Sequence, residues 1–381
     1  MNNFTFHNPT KIIFGRDTHH QVGTELNSFG IKKVLLLYGT GSIKKSGLYD
    51  QTIRALDEAG VDFVEFDGVV SNPVISHARE AVRVAKEHKV DGVLSVGGGS
   101  VLDEAKAVAA GAVVEHDVWD FYTGTQIEAS LPVFSIMTLA ASGSEMNGNS
   151  VITNETTQHK FSFNSIHSNP KVSILNPELT FSVDPSYTAY GSVDAISHVI
   201  EGYFTQSSGA AIQDRLAENI IISVIESTNI IINDPKDYDA RAQMMWAATM
   251  ALNGLPKNGL EDIGFPNHMI EHALSALFNI AHGAGLAIVI PAWMQWYADK
   301  KPDRFSRFAK EIFGVETAED GIKALKNWFS KIGAPVTLSE VGIYDKDILA
   351  ISANAAVMAE MWGLGDEYSE KEIKEVLYLA L

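Results

Sequence analysis

Apolar runs and amphipathic stretches alternate along the first half of the chain. Short continuous apolar runs such as KVLLL (residues 33–37) are typical of strands buried on both faces. Residues 48–59 instead place apolar side chains at helical spacing and are followed by Gly60, a common helix stop. Strands alternating with helices predict a parallel sheet covered by helices. Predicted strands lie at 11–14, 33–37, 61–66, 93–96, 132–137 and 172–175, and predicted helices at 48–59, 76–88 and 101–110.

This alternation stops after residue 175. From Asp184 onward nearly every segment has helical spacing. The length of 381 residues suits two domains of about 100–200 residues each. We therefore predict an α/β domain at residues 1–180 and an all-helical domain at residues 181–381. The predicted helices of the second half lie at 184–204, 212–232, 240–252, 269–277, 304–313 and 318–331.

Composition and charge restrict the function. Hydrophobic residues make up 46% of the chain and charged residues 20%, enough apolar material for a sizeable core. A formal net charge of −18 repels phosphate backbones and anionic lipid heads, so we expect no nucleic-acid or membrane partner. The N-terminus lacks an apolar signal segment and no apolar stretch approaches the ~18 residues of a membrane span. We therefore expect a cytoplasmic protein.

The chain contains no cysteine, which limits the chemistry of any metal site. Disulfides, zinc–thiolate sites, iron–sulfur clusters and thiol nucleophiles are all excluded. A metal ion would have to be bound by His, Asp, Glu or backbone atoms.

A glycine-rich turn, Gly97-Gly98-Gly99-Ser100, lies between a predicted buried strand and a predicted helix. Glycines allow positive φ and close approach of the backbone to a ligand, and a helix N-terminus attracts phosphate. The turn therefore suits a pyrophosphate, although a plain strand-to-helix turn remains an alternative. The pattern is not GxGxxG, so a standard Rossmann fingerprint is absent. Asp103 and Lys106 share a face of the following helix, either as a surface ion pair or facing the ligand.

A second candidate turn, YGTGSIKK (residues 38–45), follows the first long strand. Proteins that prefer NAD usually place an acidic side chain here to bind the ribose 2′-hydroxyl. This turn offers small residues, hydroxyls and two lysines instead, which suit a 2′-phosphate. We therefore predict NADP(H) over NAD(H), with a solvated lysine pair as the alternative.

Histidine and aspartate recur at helical spacing in the second half. Asp194 and His198 are four residues apart, so they share one face of a predicted helix. His268 and His272 repeat this spacing, and His282 follows in Ala281-His282-Gly283. One carboxylate and three imidazoles would suit Fe²⁺ or Zn²⁺ better than Mg²⁺ or Ca²⁺. Single histidines are more often ordinary helix residues, and only the joint pattern favours a metal site.

These motifs together resemble the iron-containing (group III) alcohol dehydrogenases over essentially the whole chain. Within that family the chain looks closest to the NADPH-dependent butanol dehydrogenase and broad aldehyde reductase branch. The matching segments are FHNPTKIIFG (6–15), YGTGSIKKSGLYD (38–50), GGGSVLDEAK (97–106), TLAASGSE (138–145), DAISHVIEGY (194–203), IQDRLAE (212–218), MMWAATMALNG (244–254), HMIEH (268–272) and AHG (281–283).

The resemblance implies a Rossmann-like dinucleotide-binding domain and a helical metal-binding domain, as in dehydroquinate synthase-like folds, with cofactor and metal meeting in a cleft. It implies metal ligation by Asp194, His198, His268 and His282, and places His272 near the nicotinamide as a non-ligand. Position 142 is Ser where the family more often has Thr, which keeps the hydroxyl. With Thr40 of the second turn, the expected cofactor contacts are Gly39, Thr40, Ser42, Gly98, Gly99, Ser100, Asp103, Thr138, Ser142 and Lys160.

The expected activity is the NADP(H)-dependent interconversion of short-chain aldehydes, such as butanal, and primary alcohols. The metal would act as a Lewis acid on the carbonyl oxygen, and His272 is the candidate proton relay. The alternative is a polyol dehydrogenase or a dehydroquinate synthase-like lyase. The segments that flank the ligands, residues 193–203 and 265–278, are largely apolar and carry no Lys or Arg, which favours a small neutral aldehyde or alcohol. The family also suggests a homodimer, with the strand at residues 11–14 as a pairing edge.

Overall fold

The computed structural model describes residues 1–207 and 209–381, which divide into two compact units. The α/β unit comprises His7–Val183 and Pro235–Thr249, and the helical unit comprises Met1–Phe6, Asp184–Asp234 and Met250–Leu381. The main division thus falls three residues after the predicted one. The predicted domains placed residues 1–6 in the α/β domain and residues 235–249 in the helical domain. In the structure, residues 1–6 belong to the helical unit and residues 235–249 belong to the α/β unit.

Contacts distant in sequence explain why residues 235–249 join the α/β unit. The guanidinium of Arg16 lies 3.6 Å from the centre of the Tyr238 ring, and the Phe14 and Trp246 rings meet edge-on at 6.0 Å. The hydroxyl of Thr249 donates to the buried carboxylate of Glu145. Helical spacing alone cannot reveal such partners.

The α/β unit contains a parallel sheet, as predicted. Its strands lie at β1 (Lys11–Phe14), β2 (Lys33–Gly39), β3 (Asp62–Val69), β4 (Gly92–Gly97), β5 (Val133–Met137) and β8 (Val172–Leu175), and an antiparallel pair lies at β6 (Asn149–Asn154) and β7 (His159–Asn164). The parallel strands follow the order β1-β8-β5-β4-β2-β3. The helices of the unit are α1 (Val22–Ser28), α2 (Ser42–Lys45), α3 (Leu48–Ala59), α4 (Ile75–Glu87), α5 (Gly99–Gly111) and α8 (Tyr238–Ala251), although the last two residues of α8 belong to the helical unit.

Strand β2 shows why an unbroken apolar run forms the centre of this sheet. Successive side chains of a strand point to opposite faces. Leu36 and Tyr38 pack into one hydrophobic cluster, and Leu35 and Leu37 pack into another. Both faces of the sheet are therefore covered, which confirms the prediction of a strand buried on both sides.

The β6–β7 hairpin was not predicted. Eight of the twelve residues in its strands are polar, so no apolar run marks them. The turn between them does carry a signal, because the side chain of Asn154 accepts hydrogen bonds from the amides of Thr156 (3.0 Å) and Thr157 (3.3 Å). Asn is favoured in turns for this local bonding.

The helical unit is built around the long helix α6 (Pro185–Thr205). Asp184 caps it by accepting from the Ser186 amide at 2.9 Å, and Pro185 occupies the first turn, both common helix starts. The remaining helices are α7 (Ala211–Ile231), α9 (Pro266–Phe278), α10 (His282–Tyr297), α11 (Pro302–Phe313), α12 (Ala318–Lys331), α13 (Ile348–Met361) and α14 (Glu370–Leu379).

Helices α10, α13 and α14 lie in the part of the chain predicted to be nearly all helical, but their individual bounds were not predicted, and α10 shows why. Its sequence, HGAGLAIVIPAWMQWY, is apolar on every side and contains Pro291, so it has no amphipathic period. Throughout residues 1–207 and 209–381, every helix is too short or too polar to cross a lipid bilayer.

Candidate metal and nucleotide sites

The side chains of Asp194, His198, His268 and His282 converge inside the helical unit. Asp194 and His198 lie one turn apart on α6, His268 lies on α9, and His282 begins α10. The Nε2 atoms of His198, His268 and His282 lie 3.5, 4.0 and 3.6 Å from the same atom, Asp194 Oδ1. Tetrahedral ligands at about 2.1 Å from a metal ion lie about 3.4 Å apart. The structure thus brings together all four residues that the family resemblance implies as metal ligands.

A buried carboxylate orients His268. Glu201, which is fully buried on α6, accepts from the backbone amide of His268 at 2.9 Å and lies 3.0 Å from its Nδ1. The proton of the imidazole is therefore held on Nδ1, and the lone pair of Nε2 faces the cluster. This Nε2 is buried and has no hydrogen-bond partner among the described residues.

His282 has an equivalent carboxylate partner. Glu271 of α9 accepts from Nδ1 of His282 and from the hydroxyl of Ser275. Gly285 makes room for this carboxylate, because a Cβ at that position would lie 2.7 Å from Cγ of Glu271. Pairing of this kind fixes the ring orientation and tautomer of metal-binding histidines.

His198 is buried without such a carboxylate. Burial, reinforced by the neighbouring His268 ring, lowers the pKa of His198 well below its usual value. The imidazole is therefore neutral near pH 7 and keeps a lone pair. Its Nδ1 atom has no hydrogen-bond partner within the described part of the chain.

The cluster fits a divalent metal ion. It combines one carboxylate oxygen with three imidazole nitrogens, and at least the His268 Nε2 atom is buried with its lone pair unused. Burying such an atom is costly unless a partner satisfies it. A mixed nitrogen and oxygen set suits Fe²⁺ or Zn²⁺.

His272 lies beside the cluster on α9. Its ring centre is 5.7 Å from that of His282 and 5.6 Å from the Trp362 ring, and the residue is buried. A second possible ligand group combines Glu271, His272 and His282. This group shares His282 with the four-residue cluster, so His272 lies at the border of that cluster.

Sequence reasoning missed Glu201, Glu271 and Lys257. Both glutamates follow a predicted ligand by three residues on an otherwise apolar helix, a spacing that could have revealed them. Lys257 lies 3.7 Å from the Phe265 ring centre, and burial lowers its pKa to about 7. Its charge also lowers the pKa of His198. The segments that flank the ligands carry no Lys or Arg, but Lys257, from outside these segments, brings a basic side chain near the cluster.

The predicted nucleotide contacts lie along one edge of the sheet. Strands β2, β4 and β5 are neighbours, and they end near Gly39, Gly97 and Thr138. The chain passes from β2 to β3 on one side of the sheet order and from β4 to β5 on the other side. The position between β2 and β4 is therefore a topological switch point. Ligands of open α/β sheets bind at the carboxyl ends of strands at such points.

The glycine-rich turn owes its composition to close packing. Gly98 precedes α5 with φ −84°, and neither Gly97 nor Gly99 has a positive φ. Of the two properties of glycine considered for this turn, positive φ is therefore not used here. A Cβ on Gly99 would instead lie 2.2 Å from the Ser142 hydroxyl, so the loop that follows β5 presses directly on this turn. Ser100 lies in the first turn of α5, where free amides point outward.

Lys106 and Asp103 of α5 hold the loop that follows β5 in place through hydrogen bonds. The ammonium of Lys106 donates to the carbonyl and hydroxyl oxygens of Ser144, both at 2.7 Å, and to the Asn149 carbonyl at 2.7 Å. Asp103 accepts from the Ser144 hydroxyl at 2.6 Å and from the Val151 amide at 3.0 Å. Because Lys106 is fully buried, neither the surface ion pair nor the ligand-facing position applies to it.

A carboxylate that was not predicted from the sequence contacts the second turn, residues 38–45. Glu65 of β3 lies 2.9 Å from the Lys44 ammonium and accepts from the hydroxyls of Tyr38 and Tyr49. Burial alone would raise the pKa of Glu65, but these hydrogen bonds lower it overall. An acidic group therefore lies near the predicted 2′-phosphate position, contributed by the neighbouring strand.

The other predicted contacts are spread around this edge. Thr40 lies between β2 and α2, and Ser42 begins α2. Lys160 of β7 is buried, and its ammonium donates to the side-chain oxygen of Asn72 at 3.0 Å.

Comparisons with known proteins agree with this architecture. The family model described as iron-containing alcohol dehydrogenase matches residues 9–177, and its C-terminal counterpart matches residues 188–381. The chain therefore belongs to the iron-containing alcohol dehydrogenase family and is an oxidoreductase of the alcohol dehydrogenase type. This family uses a nicotinamide cofactor and a divalent metal.

Individual relatives cover nearly the whole chain. A probable NADH-dependent butanol dehydrogenase of Bacillus subtilis (strain 168) is 41% identical, with 100% of both chains covered. An NADPH-dependent aldehyde reductase of Escherichia coli (strain K12) is 37% identical over 92% of both chains. The crystal structure of an NADH-dependent butanol dehydrogenase from Thermotoga maritima has a TM-score of 0.96 at 49% identity, covering 100% of this chain and 99% of the other.

Proposed function

We propose that this protein is an NADP(H)-dependent, metal-dependent alcohol dehydrogenase that interconverts short-chain aldehydes and primary alcohols. The observation that carries the proposal is the convergence of three imidazole Nε2 atoms within 4.0 Å of Asp194 Oδ1. Relatives named butanol dehydrogenase and aldehyde reductase support the substrate class.

Asp194, His198, His268 and His282 are the proposed ligands of one Fe²⁺ or Zn²⁺ ion. When bound, the ion supplies Lewis-acid polarisation of the carbonyl oxygen, and the nicotinamide supplies the hydride. Asp194, His198 and His268 are buried, and the side chain of His282 is 26% exposed. Glu201 and Glu271 keep the protons of their histidines on Nδ1, so that Nε2 is free to donate its lone pair.

His272 is the proposed source of the proton that completes the alcohol. It is buried beside His282. As a general acid, a histidine gives up the proton of its imidazolium form, becomes neutral imidazole and is reprotonated from water. The variant His272→Ala should lower turnover while leaving the bound metal unchanged. Loss of metal in equal measure would instead identify His272 as a ligand.

The cofactor is proposed to bind along the edge formed by the ends of β2, β4 and β5. The Gly97–Gly99 turn and the N-terminus of α5 suit the pyrophosphate. Lys44 and Lys45 support a preference for NADP(H), whereas Glu65 opposes it by pairing with Lys44. We propose that the lysines prevail, and that the preference over NAD(H) is correspondingly modest.

A homodimer through strand β1 is also proposed. Strand β1 is the last strand of the described sheet on its side and pairs with β8. Edge strands of this kind can pair with a second copy. Phe14 on this strand and its neighbour Trp246 are 38% and 41% exposed, which leaves apolar surface to cover.

The test of the function combines metal analysis with a substrate assay. Protein purified without chelator should contain about one iron or zinc ion per chain and should oxidise NADPH faster than NADH with butanal. Asp194→Ala and His268→Ala should each lose both metal and activity. Full activity in either variant without metal would refute the proposed function.

A further inference from the structure

We propose that an internal water molecule, held by Gln206 and Gln213, is the hydrogen-bond partner of His198 and orients its ring for metal binding. The proposal rests on the metal-binding function proposed above. It assigns a binding site to a small cavity of the helical unit and a positioning role to two glutamines.

The three histidines of the cluster are supported unequally. His268 has Glu201 at its Nδ1 atom, and His282 has Glu271 at the equivalent position. The Nδ1 atom of His198 is buried and has no partner among residues 1–207 and 209–381. A ring that binds metal through Nε2 carries its proton on Nδ1, and a buried N–H group needs an acceptor.

A small cavity of the helical unit is lined in part by His198. It is also lined by Gln206, Gln213 and Lys257, and it offers about 10 Å³ to the centre of a water molecule. One water requires about 10–15 Å³ by this measure. The cavity is therefore large enough for one water and too small for an organic ligand.

Two residues that line this cavity also carry polar atoms without partners among the described residues. The side-chain oxygens of Gln206 and Gln213 are buried without a hydrogen bond to any described residue. The amide nitrogen of Gln206 donates to Asp214 at 3.0 Å, and Arg304 fixes that carboxylate at 2.8 Å. The amide orientation of Gln206 is therefore set, which leaves its oxygen as the atom to be satisfied.

The unsatisfied atoms determine the chemical class of the ligand. Nδ1–H of His198 requires an acceptor, and the two glutamine oxygens require donors. Water supplies two donors and two acceptor lone pairs, so it can bond to all three groups and accept from the Lys257 ammonium as well. An anion would not donate to the glutamine oxygens, and a cation would be repelled by Lys257. Water is therefore the ligand that fits.

The variants Gln213→Met and Gln213→Glu separate this role from general packing. Methionine keeps the length of the side chain but removes the acceptor, whereas glutamate keeps an acceptor. Gln295→Met provides a matched control, since Gln295 is exposed on α10 of the same unit. Zinc affinity, measured by competition with a chelator, should fall about 10–100-fold in Gln213→Met. It should stay close to the wild-type value in Gln213→Glu and Gln295→Met.

A crystal structure of the metal-free wild-type protein provides an independent readout that does not depend on variant folding. It should show one water within hydrogen-bond distance of His198 Nδ1 and both glutamine oxygens. An empty cavity, occupation by the Lys257 ammonium, or wild-type zinc affinity in Gln213→Met would overturn the proposal. Absence of zinc binding in the wild type would instead refute the proposed metal function, even with the water in place.

Discussion

Gly283 is a point of very close approach between α10 and α6, and we predict that Gly283→Ala abolishes metal binding. A Cβ at this position would lie 2.1 Å from the backbone carbonyl oxygen of Tyr190. A non-bonded carbon–oxygen contact needs about 3.3 Å. The two helices would therefore have to separate by about 1.2 Å, because a backbone oxygen cannot swing aside as a side-chain end could.

This displacement acts directly on the proposed metal site. His282 immediately precedes Gly283, and Asp194 follows Tyr190 by one helical turn on α6. Ligand distances in metal sites vary by only about 0.2 Å, so a shift of about 1 Å removes His282 from the ligand set. Overpacking of this kind also costs about 1–3 kcal/mol of folding free energy.

The assay compares metal content, butanal reduction and thermal unfolding in Gly283→Ala, Gly209→Ala and the wild type. Gly209 belongs to the same unit and is exposed, and its Cβ would meet no atom within 4 Å. Gly209→Ala should therefore keep its metal and its stability. A folded Gly283→Ala that binds metal and reduces butanal like the wild type would refute the argument that this helix contact positions His282.

Three other perturbations have defined outcomes. Glu65→Gln removes the carboxylate that pairs with Lys44, so the KM for NADPH should fall several-fold relative to that for NADH, and an unchanged ratio would exclude Glu65 from selectivity. Lys106→Met leaves the buried oxygens of Ser144 without their donor, so urea unfolding should show a loss of roughly 1–3 kcal/mol. The hydrogen bond to buried Glu104 raises the pKa of His77 above 6.5. Protonated His77 therefore stabilises the folded state fully below pH 6.5, and this contribution is lost as pH rises through the higher pKa of the folded state. Stability should consequently decline less above pH 6.5 in His77→Gln than in the wild type, and identical pH profiles would contradict this assignment.

Local sequence pattern was sufficient for the elements that are strongly periodic or continuously apolar. Helix α3 occupies the predicted residues 48–59 because its apolar spacing and Gly60 specify both its face and its end. The run KVLLL identified β2 because both faces of that strand are buried. The four-residue spacing of Asp194 and His198 likewise placed both on one side of α6.

Features that depend on distant partners could not be derived in this way. Glu201 and Glu271 acquire their significance only when α6, α9 and α10 bring them against His268 and His282. Glu65 belongs to the strand after the one that carries the predicted 2′-phosphate turn, so no local motif links it to Lys44. Gly283 is similar, since its requirement for glycine comes from the backbone of Tyr190.

The most direct test of the central claim is anomalous X-ray diffraction from crystals grown with zinc or iron. The account predicts one strong peak in each chain, about 2.0–2.2 Å from a carboxylate oxygen of Asp194 and from the Nε2 atoms of His198, His268 and His282. A peak bound elsewhere, or a metal-free cluster in crystals of protein that reduces butanal, would contradict it.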